Sequence, residues 1–392
     1  MKTKLPILII LLSQACQSQG PAPSERPWSA RTAASFVRQH PDSIAYPDEI
    51  RGARWTYEQG LMLEALRRVG ERMGDSSLFT YIRRDIDRFV GQDGSIRTYE
   101  LESYNLDNVA PGRILLYLKS RTGDPKYAAA AQLLRRQLKE QPRTRGGGFW
   151  HKQIYPYQMW LDGIFMAEPF YAQYAADAGE IAAFNDIAHQ IITIEEKTRD
   201  EKTGLLYHGW DESRAQRWSD AKTGRSPNFW GRAMGWYAMG LVDVLDTFPK
   251  THPRRKEIIA VLQRLAEAVS HFQDAESGLW YQVVDKAGKE GNYLEASASC
   301  MFAYALAKGT RMGYLDSTYR AVAEKAFDGI LKQFVTVDDD GIVRLHQTCQ
   351  VAGLGGDPYR DGSYEYYIGE PRRTNDFKGM GPFIFAALEL ER

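Results

Sequence analysis

Cysteine is scarce, with three residues in a chain of 392. Cys16 lies near the N-terminus, outside the main body of the chain, and Cys300 and Cys349 alone cannot build a disulfide framework. They are also too few and too isolated from histidine for a zinc site, and no metal motif appears, so neither metal nor cofactor is expected. An excess of one charge is missing too: 50 Lys and Arg stand against 50 Asp and Glu. No basic stripe alternates with aromatic residues, which removes electrostatic support for a nucleic acid or an anionic membrane surface as partner. The runs "GGG" at 146–148 and "GLGG" at 353–356 lack a following GK[ST] or strand-to-helix fingerprint, so they read as tight turns rather than phosphate loops.

What is present begins with an export leader, "MKTKLPILIILLSQAC". Lys2 and Lys4 form the charged region, Leu5 to Leu12 the short apolar region, and Ser13-Gln14-Ala15 a small-x-small cleavage pattern. This gives residues 1–15 as a signal peptide and 16–27 as an exported linker. Cys16 directly after the site matches a bacterial lipoprotein, but Ser13 stands where leucine is usual. Lipid attachment at Cys16 and plain cleavage to a soluble periplasmic protein are both open, and a lipid is the only expected membrane attachment.

Residues 28–392 carry 3.6-residue apolar periodicity broken by polar turns, with no further linker, which predicts one large domain. Helices rich in Ala, Leu, Met and Gly begin near Trp55, Tyr104, Gln158, Trp230, Tyr293 and Asn375 and read as buried nearly all round. More amphipathic segments alternate with them, from "WSARTAASFVRQH" to "STYRAVAEKAFDGILKQF". Six inner and six outer helices predict an all-α (α/α)6 barrel. The runs "GLLYHGW", "GLWYQVV" and "GIVRLHQTCQV" predict short β-hairpins in rim loops. No heptad seam marks an interface, so a monomer is expected.

Polar and aromatic residues gather at the starts of the inner helices, which converge in such a ring. Free N–H groups and positive dipole ends there suit an anionic ligand such as a uronate. Asp162 in "YPYQMWLDGIFM" sits among Trp160, Ile164 and Phe165, where poor solvation favours a protonated carboxyl fit for a general acid. On pattern alone it reads equally as a helix cap. Asp107 in "YNLDNVAPG" reads as a turn residue by itself and as half of a carboxylate pair beside Asp162. His151 and His208 can bind sugar hydroxyls or satisfy core groups. Arg232 and Trp236 share one helical face, either as a carboxylate clamp beside a stacking ring or as a buried arginine paired with an acid such as Asp211. Glu295, Asn375, Asp376 and Lys378 read as structural residues at helix starts.

Taken in order, "WTYEQG", "YNLDNVAPG", "HKQIYPYQMWLDG", "LYHGWD", "WGRAMGW" and "GSYEYY" with "NDFKGMGPF" make the chain resemble glycoside hydrolase family 105, the unsaturated rhamnogalacturonyl hydrolases. More distantly it resembles the unsaturated glucuronyl hydrolases of family 88. The resemblance implies an (α/α)6 barrel without metal, acting on lyase-generated pectin oligosaccharides that carry a 4,5-unsaturated galacturonyl residue at the non-reducing end. It implies Asp162 as general acid and base protonating C4, Asp107 supporting the reacting ring, and His151, His208, Arg232, Trp236 and Tyr57 holding the uronate. Three other readings compete with it: a glucuronyl hydrolase on ulvan-type oligosaccharides, an inverting glycosidase on saturated glycans, and a non-catalytic surface glycan-binding protein.

Overall fold

The computed structural model describes residues 26–46 and 52–391, so the leader and Cys16 lie outside the described residues. The chain folds into an (α/α)6 barrel. Its inner helices are α2 (Tyr57–Met73), α4 (Gly112–Thr122), α6 (Asp162–Ala178), α8 (Gly231–Val244), α10 (Ala296–Arg311) and α13 (Phe377–Leu390). The outer ones are α1 (Trp28–Gln39), α3 (Ser76–Asp87), α5 (Pro125–Glu140), α7 (Ala183–Thr198), α9 (Arg255–His271) and α11 (Thr318–Gln333). A short α12 (Tyr364–Gly369) belongs to the rim. Each inner helix packs on the next, α2 on α4 and so on to α13, which closes the ring against α2.

Residue choice explains the two layers. Every residue of α8 is buried, and its small side chains let neighbours close in; a Cβ on Gly235 would lie 2.8 Å from Met301 Cβ of α10. Outer helix α3, by contrast, buries a stripe of Leu78, Tyr81, Ile82, Asp85 and Ile86 at helical spacing.

The two ends of the barrel differ. Inner helices α2 and α4 pass to their outer partners through Gly-Asp turns: Gly74 (φ 67°) and Gly123 (φ 70°) take the left-handed conformation that ends a helix. The aspartates that follow, Asp75 and Asp124, accept backbone N–H groups of Ser77 and Lys126 and start the next one. Returns from outer to inner helices are long, as at residues 141–161 and 199–230, and they build the opposite rim.

The strands pair differently from what the alternation in sequence predicts. β1 (Gln158–Trp160) pairs antiparallel with the distant β2 (Gly209–Asp211), not within a local hairpin. β3 (Val335–Val337) and β4 (Val343–Leu345) do form a hairpin, while β5 (Thr348–Cys349) pairs with β6 (Arg372–Arg373). "GLWYQVV" makes only isolated bridges. The second inner helix also starts later than Tyr104, because Tyr104 adopts φ 41° and residues 101–108 form two 3-10 turns before Pro111.

Away from the rim, the barrel axis is filled by charge. Asp243 of α8 receives Arg68 (2.8 Å), Arg113 (2.8 Å), Lys308 (2.7 Å) and the Tyr304 hydroxyl (2.5 Å). Glu64 of α2 receives Arg67, Arg68 and Arg113. Burial by itself would raise the Asp243 pKa, but Arg68, Lys308 and Arg113 outweigh it and hold the carboxyl far below the ordinary carboxylate range. Removing one member of such a set strands the rest. Asp243→Ala is expected to cost about 3–5 kcal/mol, read as a lowered denaturant midpoint with the m-value unchanged.

Candidate active site

The long loops place a cluster of carboxylates, histidines and indoles at the rim. Leu161 occupies the cap position of α6 and Asp162 is the first helical residue, so the helix-cap reading does not hold. It is 9% exposed, and its Oδ2 is buried without a hydrogen-bond partner, 3.3 Å from His208 Nε2. The β1–β2 ladder creates this meeting. Trp160 pairs with Gly209, and Leu161 N–H donates to the His208 carbonyl at 3.1 Å, so the residues flanking the pair come together.

Gly163 follows Asp162 for a steric reason. A Cβ there would lie 3.1 Å from Leu106 Cδ1 and 3.3 Å from His151 Nδ1, both tighter than ordinary contact. His151 is fixed through its backbone, accepting from Leu106 N–H (3.1 Å) and donating to the Gln158 carbonyl (2.9 Å). Trp160 stacks on His151 (4.5 Å between centroids) and meets His208 edge-on (5.4 Å), so one indole spaces both imidazoles.

Asp107 sits in the second 3-10 turn. Asn105, not Asp107, caps that turn by accepting the Asp107 N–H at 3.0 Å. The Asp107 carboxylate instead lies 2.6 Å from Lys152 Nζ and 3.4 Å from His151 Nε2. Burial pushes its pKa up, but Lys152 and His151 prevail and the net shift is downward, favouring the carboxylate. A cavity of about 260 Å³ opens beside it, lined by Arg54, Trp55, Glu58, Gln59, Asn105 and Asn108 among others.

Arg232 and Trp236 lie deeper than expected. Arg232 is 1% exposed; Nε donates to Ser297 Oγ at 2.8 Å and Nη2 to the Cys349 carbonyl, with Glu295 at 3.5 Å. Its acidic partner is therefore Glu295, and Asp211 instead accepts the N–H groups of Ser213 and Gln216 in a rim turn. One guanidinium nitrogen, Nη1, is buried without a partner. Trp236, expected as a stacking ring, is 1% exposed and packs on Phe165 (4.8 Å), with Tyr57 edge-on at 6.0 Å. It supports the wall instead of presenting a face. Tyr57 is half-buried at the start of α2. Glu295 and Asp376 cap α10 and α13 as predicted.

Residue-by-residue reading missed Lys152 and Tyr367, and it took Trp160 only as apolar cover for Asp162 and not as the spacer of two imidazoles. Lys152 lay beside His151 and Tyr367 inside "GSYEYY", so motif membership was their only mark.

Fold and rim together define a carbohydrate-active barrel with acid–base groups at its mouth. The chain belongs to the family described as Glycosyl Hydrolase Family 88, whose model matches residues 28–392, and to glycoside hydrolase family 105. A family 105 glycoside hydrolase from C. acetobutylicum ATCC 824 is 44% identical, with 93% of this chain and 99% of that one covered and a TM-score of 0.89. The unsaturated rhamnogalacturonyl hydrolase YesR of Bacillus subtilis (strain 168) is 28% identical over 295 residues, 74% of this chain and 78% of that protein. The unsaturated glucuronyl hydrolase of Bacillus sp. GL1, at 14% identity and TM-score 0.68 over 93% of this chain and 95% of its own, shares the fold. This protein is a glycoside hydrolase.

His151 gives a pH test. Burial lowers its pKa from 6.5 to about 4, against the pull of Asp107 and with help from Lys152. Between those values the unfolded chain binds a proton that the folded chain refuses, so stability falls as pH drops through this window. His151→Gln is expected to abolish a loss of up to about 3 kcal/mol between pH 6.5 and 4, seen as a shallower decline of unfolding free energy than in the native protein.

Proposed function

We propose that this hydrolase removes a 4,5-unsaturated galacturonyl residue from the non-reducing end of lyase-generated rhamnogalacturonan oligosaccharides. The observation that carries the reading is Asp162, a buried carboxyl at the barrel mouth with one oxygen facing His208 and no hydrogen-bond partner. It is a group held ready for a proton transfer. The carboxyl protonates C4 of the enol ether, positive charge develops at C5 and the ring oxygen, and water adds at C5 while returning its proton to Asp162. The hemiketal opens and releases the next sugar.

The other rim groups fit supporting roles. Asp107, held in its ionised form by Lys152, can stabilise the developing positive charge. Neutral His151 can bind a ring hydroxyl, and Arg232 Nη1 lacks a partner that a uronate carboxylate could supply. The name of the Bacillus subtilis relative favours rhamnogalacturonan over other sources.

Lyase digests of rhamnogalacturonan should lose the ultraviolet absorbance of the conjugated double bond on incubation with the protein. Loss confined to ulvan or glycosaminoglycan digests would move the substrate to the glucuronyl class, and no loss with any digest would sink the reaction. Asp162→Asn is expected to lower kcat by about 10²–10⁴ while oligosaccharide binding persists. Unaltered turnover would remove Asp162 from the acid role.

The leader pattern supports export, with Cys16 as the acylation site in the lipidated form. Labelling cells with a fatty acid probe should mark the native protein and not Cys16→Ser. Equal absence of label in both would leave the soluble periplasmic form.

A further inference from the structure

His208 has two ring nitrogens, and only one faces the carboxyl. Nε2 lies 3.3 Å from Asp162 Oδ2. Nδ1 lies 2.7 Å from the hydroxyl of Tyr367 on α12, and that hydroxyl has no other hydrogen-bond partner among the described residues. Both His208 and Tyr367 are fully buried. Which nitrogen carries the hydrogen is therefore set by which way the phenol points.

A phenol has one hydrogen and two lone pairs. If Tyr367 accepted from Nδ1, its own hydrogen would be buried with nothing to receive it, at a cost of about 1–3 kcal/mol. If it donates, the phenol leaves only lone pairs unused, and the imidazole hydrogen sits on Nε2, where the Asp162 Oδ2 acceptor lies 3.3 Å away. We infer that Tyr367 donates to Nδ1 and thereby fixes His208 as the tautomer with its hydrogen on Nε2, aimed at Asp162 Oδ2. Tyr367 is a positioning residue acting through His208.

The surroundings hold the pair in that arrangement. Trp230 and Trp160 flank the imidazole at 4.7 and 5.4 Å, and the Tyr367 ring stacks on Trp230 at 5.8 Å. Gln282 ties them together: its Nε2 donates to the Tyr367 carbonyl (3.0 Å) and its Oε1 accepts from Trp230 Nε1 (3.1 Å).

This assigns the two carboxyl oxygens different work. Oδ2 is buried against the Nε2 hydrogen, whereas the 12% of the Asp162 side chain that remains exposed lies elsewhere. Resting on the reaction proposed above, the proton leaves Oδ1 for C4 and returns to Oδ1 from the water that adds at C5. In the free protein Nε2 and Oδ2 face each other at 3.3 Å without a hydrogen bond; as negative charge appears on the carboxyl, Nε2–H donates to Oδ2, which favours the transfer.

Two measurements test it. Nitrogen-15 spectra of the histidine-labelled native protein, with His208 assigned by its loss in His208→Gln, should show hydrogen on Nε2 and a bare Nδ1. Hydrogen on Nδ1 would overturn the inference whatever any variant does. Tyr367→Phe keeps the ring against Trp230 and is expected to lower kcat about tenfold, leave KM within about twofold, and shift the His208 signals toward a tautomer mixture. Native kcat and unmoved signals in that variant would also overturn it. Activity surviving in Asp162→Asn would instead sink the acid assignment while leaving the resting tautomer untouched, so the two failures are distinguishable.

Discussion

The barrel depends on the ionic hub around Asp243. A ring of six helices leaves an axial space that must be filled, and here α2, α4, α8 and α10 fill it with two carboxylates and the cations Arg67, Arg68, Arg113 and Lys308. Arg68 also lies over Phe385 of α13 at 4.3 Å. Apolar residues could occupy that volume as stably, but they would bind without direction. Asp243 is satisfied by donors from three other helices at once, which fixes the helices relative to one another along their axes. The rim inherits that register.

At the rim, loops carry what the helices position. Short Gly-Asp turns at one end leave the helix spacing nothing to spare, while long returns at the other supply His151, His208 and Trp160. The β1–β2 ladder then works as a clamp, bringing His208 to the first turn of α6. Several buried polar atoms there have no partner: Asp162 Oδ2, His151 Nδ1, His208 Nε2 and Arg232 Nη1. Desolvated groups left unsatisfied destabilise a fold, and their concentration around one mouth is the physical mark of a site built for a ligand.

Much of the fold was legible because helical burial has a short period. The wholly buried α8 and the striped α3 announce their layers residue by residue, and Asp162 stands out as the one charge in an apolar stretch. Legibility ended where partners come from far along the chain. Arg232 was paired in prospect with Asp211, a near neighbour in sequence, yet Glu295 is the acid beside it because α8 packs on α10. Trp236 shares the Arg232 face as expected, but Phe165 and Tyr57 cover its ring. Local spacing says which side chains point together; it does not say what will cover them.

By itself, the sequence determined the alternation of inner and outer helices, the turns between them and the residue types gathered at the inner-helix starts. Those follow from local periodicity and from the conformational demands of glycine, proline and capping residues. Only the tertiary structure decided that Asp107 meets Lys152, that Asp162 is left uncapped beside His208, and that Tyr367 reaches the far side of that imidazole. These depend on pairing between distant segments and on desolvation inside a closed ring. Neither exists until the ring has closed.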